Sequence, residues 1–386
     1  MPEEHAIMFL RRKLPIVHLC MLLLALVMAV PAHSADPPSK KDAFLAKAEA
    51  YTKEGKHAEA IIELRNAVQL DAKDAVTQYK LGEAYLRQGK PENYQEALKA
   101  FESSVKNDPS LVVAQIKLGE LYLLSGQFAK AQERAEAVLK NDAQSVEAHV
   151  LLGNAYGRRR EFGKAIETLE KARKLEPKRM QTYINLATLY TANKDTTPAE
   201  KLLQEALTIE PKSMPVHSAL ASFYASQKQF PKAEELVRKA LELEPSNVAL
   251  HLQLGGVYNA QKKPVEAEAA LRRATEVGSD SLQAFITLGD FYSQSQRATE
   301  AADAYKKALL LKPEAAAPKE KLAELMLMQQ KYDEALKYAE ELGKVRETKS
   351  VGQYFKGRVA LAKGQVTEAI TALQRVNKEA PGLGQA

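Results

Sequence analysis

One cysteine, no tryptophan, and only 18 glycines and 17 prolines are spread over 386 residues. So little cysteine excludes a disulfide scaffold, and the glycine and proline counts exclude collagen-like and low-complexity classes. Sandwiches and barrels, built from many short strands with Gly- and Pro-rich turns, are disfavoured for the same reason. An excess of one charge is also lacking: 55 Lys and Arg face 49 Asp and Glu, a formal net charge of +6. That balance carries no signature of a polyanion binder, and nucleic acid is not an expected partner. Mean hydropathy is -0.35, which excludes a multi-span membrane protein. What is abundant instead is Ala, Leu, Glu and Lys, the strong helix formers.

The one long apolar run, Leu14 to Val30, follows Arg11-Arg12-Lys13 and precedes Pro31-Ala32-His33-Ser34-Ala35. A basic region, an apolar region and small residues at A-x-S spacing (Ala32, Ser34) are the three parts of a secretory signal. Residues 1–34 therefore read as a signal peptide and 35–40 as a linker. Glu3 and Glu4 are foreign to such a start, and initiation at Met8 gives a cleaner one. The competing reading is an uncleaved anchor in the inner membrane, since about 17 apolar residues lie near the shortest span that crosses a bilayer. Cys20 sits inside the run, not just after it, so a lipoprotein box does not fit. With the signal removed no cysteine remains for a disulfide, a thiol nucleophile or a metal site. The expectation is export to the periplasm or cell envelope.

From residue 41 the chain repeats itself. Ala60, Ala97, Ala131, Ala165, Ala199, Ala233, Ala267, Ala301, Ala335 and Ala369 recur every 34 residues, except for a first step of 37. The surplus fits an insertion of Pro91-Glu92-Asn93. Nine residues before these alanines stand Tyr51, Tyr122, Tyr156, Tyr190, Tyr224, Tyr258 and Tyr292, with Tyr85 twelve before across the insertion. A small residue precedes each tyrosine by three, as in Gly119 and Gly153. Units thus start near 41, 75, 112, 146, 180, 214, 248, 282, 316 and 350, fill 41–383, and leave a tail of 384–386. Pro109, Pro177, Pro211, Pro245, Pro313 and Pro381 punctuate six of the unit ends.

In the fourth unit Leu152-Gly153, Tyr156, Ala165, Leu169, Ala172 and Pro177 fall at the spacing of the tetratricopeptide repeat, whose motif the whole register resembles. The resemblance implies an all-α, right-handed superhelical solenoid of about ten helix-turn-helix repeats. The family's Trp position holds Phe44, Gln78, Gln115, His149, Tyr183, His217, His251, Phe285, Lys319 and Gln353, which predicts looser packing there. Over Ala60 to Gln69 the wording is similar to the first repeat of large envelope members tied to exopolysaccharide export and exosortase-type sorting.

The periodicity supports the same picture without the name. Leu151, Leu152, Ala155 and Tyr156 share one helical face, as do Ala165, Ile166, Leu169 and Ala172, so each unit is a pair of amphipathic helices. Small residues such as Gly153, Ala165 and Ala199 let paired helices approach, and the tyrosines fill the gap above them. Gly89, Gly126 and Gly364 fall between the two helices, where a helix end needs positive φ. One hairpin cannot bury its apolar face, but a stack can.

Nothing in the chain reads as catalytic. Phosphate-loop, G-x-S-x-G and H-E-x-x-H motifs are absent. His5, His18 and His33 precede or lie within the signal region, His149, His217 and His251 take a packing position, and His57 falls in a turn. Carboxylates four residues from lysines read as solvated pairs. No enzyme activity, metal or cofactor is expected.

The resemblance implies binding of proteins or peptides in a groove lined by positions 2, 5, 9, 12 and 13 of the first helices. Position 5 gives a mostly apolar stripe that includes Tyr79, Ile116, Val150, Ile184, Leu252 and Ile286; simple packing between first helices explains it equally well. Position 9 begins acidic (Glu49, Glu83, Glu120) and continues with Asn154, and Arg158 stands at position 13. An extended peptide with apolar and basic side chains suits that lining. The chaperone-binding clamp of the family, Lys at position 5 with Asn at position 9, is missing, since Val150 precedes Asn154. The sequence thus points to an exported scaffold, with a pilus or secretion assembly factor or a membrane-anchored adaptor as alternatives. Homo-oligomerisation through the degenerate last repeat stays open, and membrane contact is expected only through an uncleaved N-terminal segment.

Overall fold

The computed structural model describes residues 39–90 and 93–383; the signal, most of the linker, the first two inserted residues and the tail lie outside that range. Among the described residues there are twenty α-helices, one short 3-10 turn and no strand. None of these helices is long and apolar enough to cross a membrane. The chain divides into two compact units, up to Leu121 and from Tyr122, and each is taken by itself.

The first unit holds α1 (Lys40–Lys53), α2 (His57–Leu70), α3 (Ala75–Gln88), α4 (Asn93–Asn107) and the start of α5 (Val112–Leu124). Ser39 and Lys40, expected in the linker, are the cap and first residue of α1. The Ser39 hydroxyl accepts from the Asp42 amide at 3.1 Å while Asp42 accepts from the Ser39 amide at 3.1 Å, closing a capping box. Asp74 caps α3 by accepting from Val76 and Thr77 at 2.9 and 3.1 Å. Lys41 bridges from α1 to that cap at 2.5 Å, and its bond helps hold the Asp74 carboxyl down at about 2 against its partial burial. Ile61, Leu64, Leu81, Ala84 and Ala100 form the core, with Leu45, Val68 and Tyr85 packed on it.

The second unit continues with first helices α7 (Val146–Arg158), α9 (Met180–Ala192), α11 (Met214–Ser226), α13 (Val248–Ala260), α15 (Leu282–Gln294), α17 (Ala316–Met328) and α19 (Lys349–Ala362). The second helices are α6 (Phe128–Asn141), which follows α5, and the partners of these seven, α8 (Phe162–Leu175), α10 (Thr196–Ile209), α12 (Phe230–Leu243), α14 (Pro264–Val277), α16 (Ala298–Leu311), α18 (Tyr332–Gly343) and α20 (Val366–Glu379). The recurring alanines lie at the tightest points: Ala165 and Ala199 are fully buried. A Cβ on Gly153 would stand 2.6 Å from Leu169 Cγ, and one on Gly289 2.5 Å from Tyr305, so only glycine fits there.

Gly89, Gly126 and Gly364 take the positive φ expected of them, and two features go beyond the sequence reading. Positive φ recurs at one turn position in all ten hairpins. Gly55, Gly89, Gly126 and Gly364 take it in four, but Arg160, Lys194, Lys228, Lys262, Gln296 and Gln330 take it in six, at φ near 60°. In several units the side chain at the missing Trp position donates back to the carbonyl six residues earlier. Gln115 reaches Pro109, Tyr183 Pro177, His217 Pro211 and His251 Pro245, at 2.8 to 3.0 Å. At these four positions the side chain is tied by a hydrogen bond to the turn between repeats.

The tyrosines tie each of these first helices to the preceding second helix through an acid. Tyr224 donates to Glu200 at 2.6 Å, Tyr258 to Glu234 at 3.0 Å and Tyr292 to Glu268 at 2.9 Å. Glu234 also takes Arg238 at 3.1 Å and Gln261 at 3.2 Å; Glu268 takes Arg272 at 3.0 Å and Arg297 at 2.5 Å. The bond from Arg297, with those from Tyr292 and Arg272, pulls the Glu268 carboxyl down to about 2 despite partial burial.

Candidate functional site

The first helices of each unit carry the residues expected to bind. In the first unit α1 and α3 flank a pocket of about 330 Å³ floored by Leu45, Ala48, Leu64 and Ala84 and rimmed by Glu49, Lys80, Glu83 and Arg87. Every acid expected to make this face negative is answered within its own helix. Glu49 pairs with Lys53 at 2.8 Å, Glu83 with Arg87 at 3.7 Å and Glu120 with Lys117 at 2.8 Å. The lining is therefore amphoteric, not acidic as its Glu residues suggested. Tyr79 is half-buried against Phe101, ring centres 5.6 Å apart, and burial with the nearby Glu83 charge pushes its phenol to about 12.

In the second unit the faces of α7, α9, α11 and α13 carry amides and hydroxyls that bond from one repeat to the next. Asn185 donates to Asn154 at 3.2 Å, and Gln253 donates to the Ser218 carbonyl at 2.8 Å and the Ser222 hydroxyl at 2.9 Å. Further along, Lys321 pairs with Asp290 at 2.9 Å and Arg358 with Glu324 at 2.8 Å. Tyr305, buried in α16, donates to Asp290 at 2.8 Å, and burial first, then that bond, raises its phenol far above the ordinary range.

With this geometry in view, family models identify the chain. The model of the cilia and flagella-associated protein 70 C-terminal domain, itself of tetratricopeptide type, matches residues 110–325, and two further repeat models match 48–89 and 77–110. The chain belongs to the tetratricopeptide repeat family. A tetratricopeptide repeat protein from Parabacteroides merdae resembles it at TM-score 0.55 and 17% identity, over 64% of this chain and 97% of that one. Yeast Tom70 does so at TM-score 0.51 and 14% identity, over 88% and 91%. At such identities the likeness shows the fold alone. No curated protein matches the chain.

Within the tetratricopeptide fold the expected groove residues separate into two groups. Ile116 and Ile286 are 8% and 7% exposed, so they belong to the core and are not groove lining. Val150, Ile184 and Leu252 are half-buried and pack on core clusters, which leaves an edge of each for a ligand. Asn154 and Glu83 are half-buried, whereas Glu120 and Arg158 are exposed. Of the packing residues, Tyr122, Tyr224, Tyr258 and Tyr292 are buried, as is Gly119; Tyr156 and Tyr190 are half-buried. His57 is the first residue of α2, not a turn residue, and no His, Asp or Glu cluster among the described residues has a metal-binding arrangement. In the basic run Arg158-Arg159-Arg160, Arg159 binds Glu161 at 2.9 Å, and further on Arg173 binds Glu170 at 2.9 Å and Arg179 binds Glu147 at 2.7 Å. The polar inter-repeat bonds were missed because they join residues 31 to 35 apart whose partnership depends on how repeats stack.

Proposed function

We propose that this chain is an exported, non-enzymatic scaffold that holds extended segments of partner proteins along its first helices. The observation that carries this is the row of Asn154, Asn185, Ser218, Ser222 and Gln253. Amides and hydroxyls so placed can exchange their mutual bonds for bonds to a peptide backbone, while the edges of Val150, Ile184 and Leu252 take apolar side chains. In the first unit the 330 Å³ pocket between α1 and α3 has room for one apolar side chain. The signal-like N-terminus supports a periplasmic or envelope location, and the likeness of Ala60 to Gln69 to envelope members supports service in an exopolysaccharide export or protein-sorting assembly.

A photo-crosslinking residue at Ser222 tests this in the native cell, with one at Lys239 on the second helix as control. Adducts to discrete partners from Ser222 alone are expected, on a protein whose mass shows processing near residue 34. Equal crosslinking from both sites, or none from Ser222, rules out the first-helix face as the binding surface.

A further inference from the structure

The first unit contains a second cleft, of about 710 Å³, on the other side of its helices. Val68 of α2, Leu81 of α3 and Ala100 of α4 line its floor, and Arg65, Tyr85, Glu96 and Lys99 stand around it. Its meaning comes from the same place in later repeats. There a tyrosine of one first helix and an arginine of the preceding second helix converge on a glutamate one turn before that arginine. Tyr258 and Arg238 do so on Glu234, and Tyr292 and Arg272 on Glu268. In the first unit Tyr85 and Arg65 hold the corresponding positions, but the residue in the glutamate's place is Ile61, which is 7% exposed and part of the core.

The rest of the constellation is present and waiting. Gln88 corresponds to Gln261, which donates to Glu234 at 3.2 Å. Lacking an acid, Gln88 instead accepts from Asn93, the inserted residue, at 2.5 Å. Among the described residues Arg65 makes no ion pair, and the Tyr85 hydroxyl makes no hydrogen bond. Lys99 is paired with Glu96 at 2.8 Å, so Arg65 is the uncompensated charge of the cleft. Burial raises the Tyr85 phenol, which keeps it a protonated donor at neutral pH. Tyr190 offers a contrast: Ile166 likewise takes the glutamate's place before it, but Glu170 stands where Arg65 would be, and no cation is left over.

We propose that this cleft binds an acidic side chain of a partner polypeptide, whose carboxylate takes the place that Glu234 and Glu268 fill internally, between Arg65 and Tyr85. Apolar neighbours of that acid rest on Val68, Leu81 and Ala100. A carboxylate is the matching anion because the chain itself uses one against the same donors, two of them from side chains that can bond it together. The site is formed by α3 with the second helices α2 and α4, away from the pocket between α1 and α3, and does not rest on the first-helix reading; crosslinks from Ser222 report that surface and Arg65 reports this one.

The test is fluorescence anisotropy with the full chain and a labelled peptide of alternating Glu and Leu, against its Gln-and-Leu counterpart. The Glu peptide is expected to bind at least tenfold more tightly, and Arg65→Gln to remove most of that difference. Tyr85→Phe should weaken binding less. Ile61→Glu, which supplies the carboxylate from within, should abolish binding while the melting temperature holds or rises. Should that variant unfold, the exposed Arg65→Gln, checked for unchanged helical circular dichroism, decides alone. Equal affinity for both peptides, an Arg65→Gln variant that binds as before, or displacement of the peptide by millimolar inorganic phosphate would each overturn the proposal.

Discussion

Thr182 is fully buried in α9, and its hydroxyl has no hydrogen-bond partner. The same repeat position holds Val216 and Leu250 in the next two units, both buried. A buried hydroxyl left unpaired costs about 1–3 kcal/mol, and removing it without changing shape recovers part of that. Thr182→Val should therefore raise the melting temperature; a drop would mean the hydroxyl is bonded in solution. A second strain sits at Lys228, whose φ of 59° is glycine's territory. The left-handed conformation costs a side-chain-bearing residue about 1 kcal/mol, more than the extra chain entropy glycine brings at that spot. Lys228→Gly should stabilise modestly in chemical denaturation, with the midpoint moving up and the slope unchanged. The reverse exchange at Gly55, which has φ of 72°, should destabilise: Gly55→Lys is expected to lower the midpoint.

At the scale of paired helices, stability depends on acids that clamp one repeat to the next. Glu268 joins α14 to α15 through Tyr292 and to the following turn through Arg297. Its carboxyl, depressed to about 2 by those bonds, lies below its unfolded value, so the contribution is complete above that unfolded value and is lost as pH falls toward 2. Asp74, held at about 2 by Lys41 and the cap of α3, acts with the same sign in the first unit. The melting temperature should fall between pH 5 and 2, and Glu268→Gln should flatten part of that slope while lowering stability at pH 7. A pH profile identical to the parent's would show that the clamp is not formed.

Across each unit the array has no single centre, because every helix pair is covered by its neighbours in sequence. The last pair is covered least. In α20 only Ala369 and Val376 are buried, against Ala301, Ala302, Ala304, Tyr305 and Ala308 in α16. Leu361 and Ile370 remain half exposed. Amide exchange should accordingly be fast throughout α20 and slow in α16. Protection of α20 equal to that of α16 would mean that its outer face is covered by something else.

The sequence by itself determined the repeat, the helical class and the places where helices touch. The 34-residue period, Gly153 against Leu169 and Ala165 at a helix crossing are local rules repeated many times, and a repeated rule can be read without a structure. Only the tertiary structure decided which side of a residue faces outward. Ile116 and Ile184 share a repeat position, yet the first is core and the second keeps an exposed edge, because burial depends on the neighbouring helix. The acidity of Glu49, Glu83 and Glu120 was plain in the sequence, and so was the helical spacing of Lys53, Arg87 and Lys117 from them, while the closing of each pair depended on rotamers. The vacancy beside Arg65 was hidden for the same reason. Ile61, Arg65 and Tyr85 are unremarkable in order, and become a site only where α2, α3 and α4 bring them around one cleft.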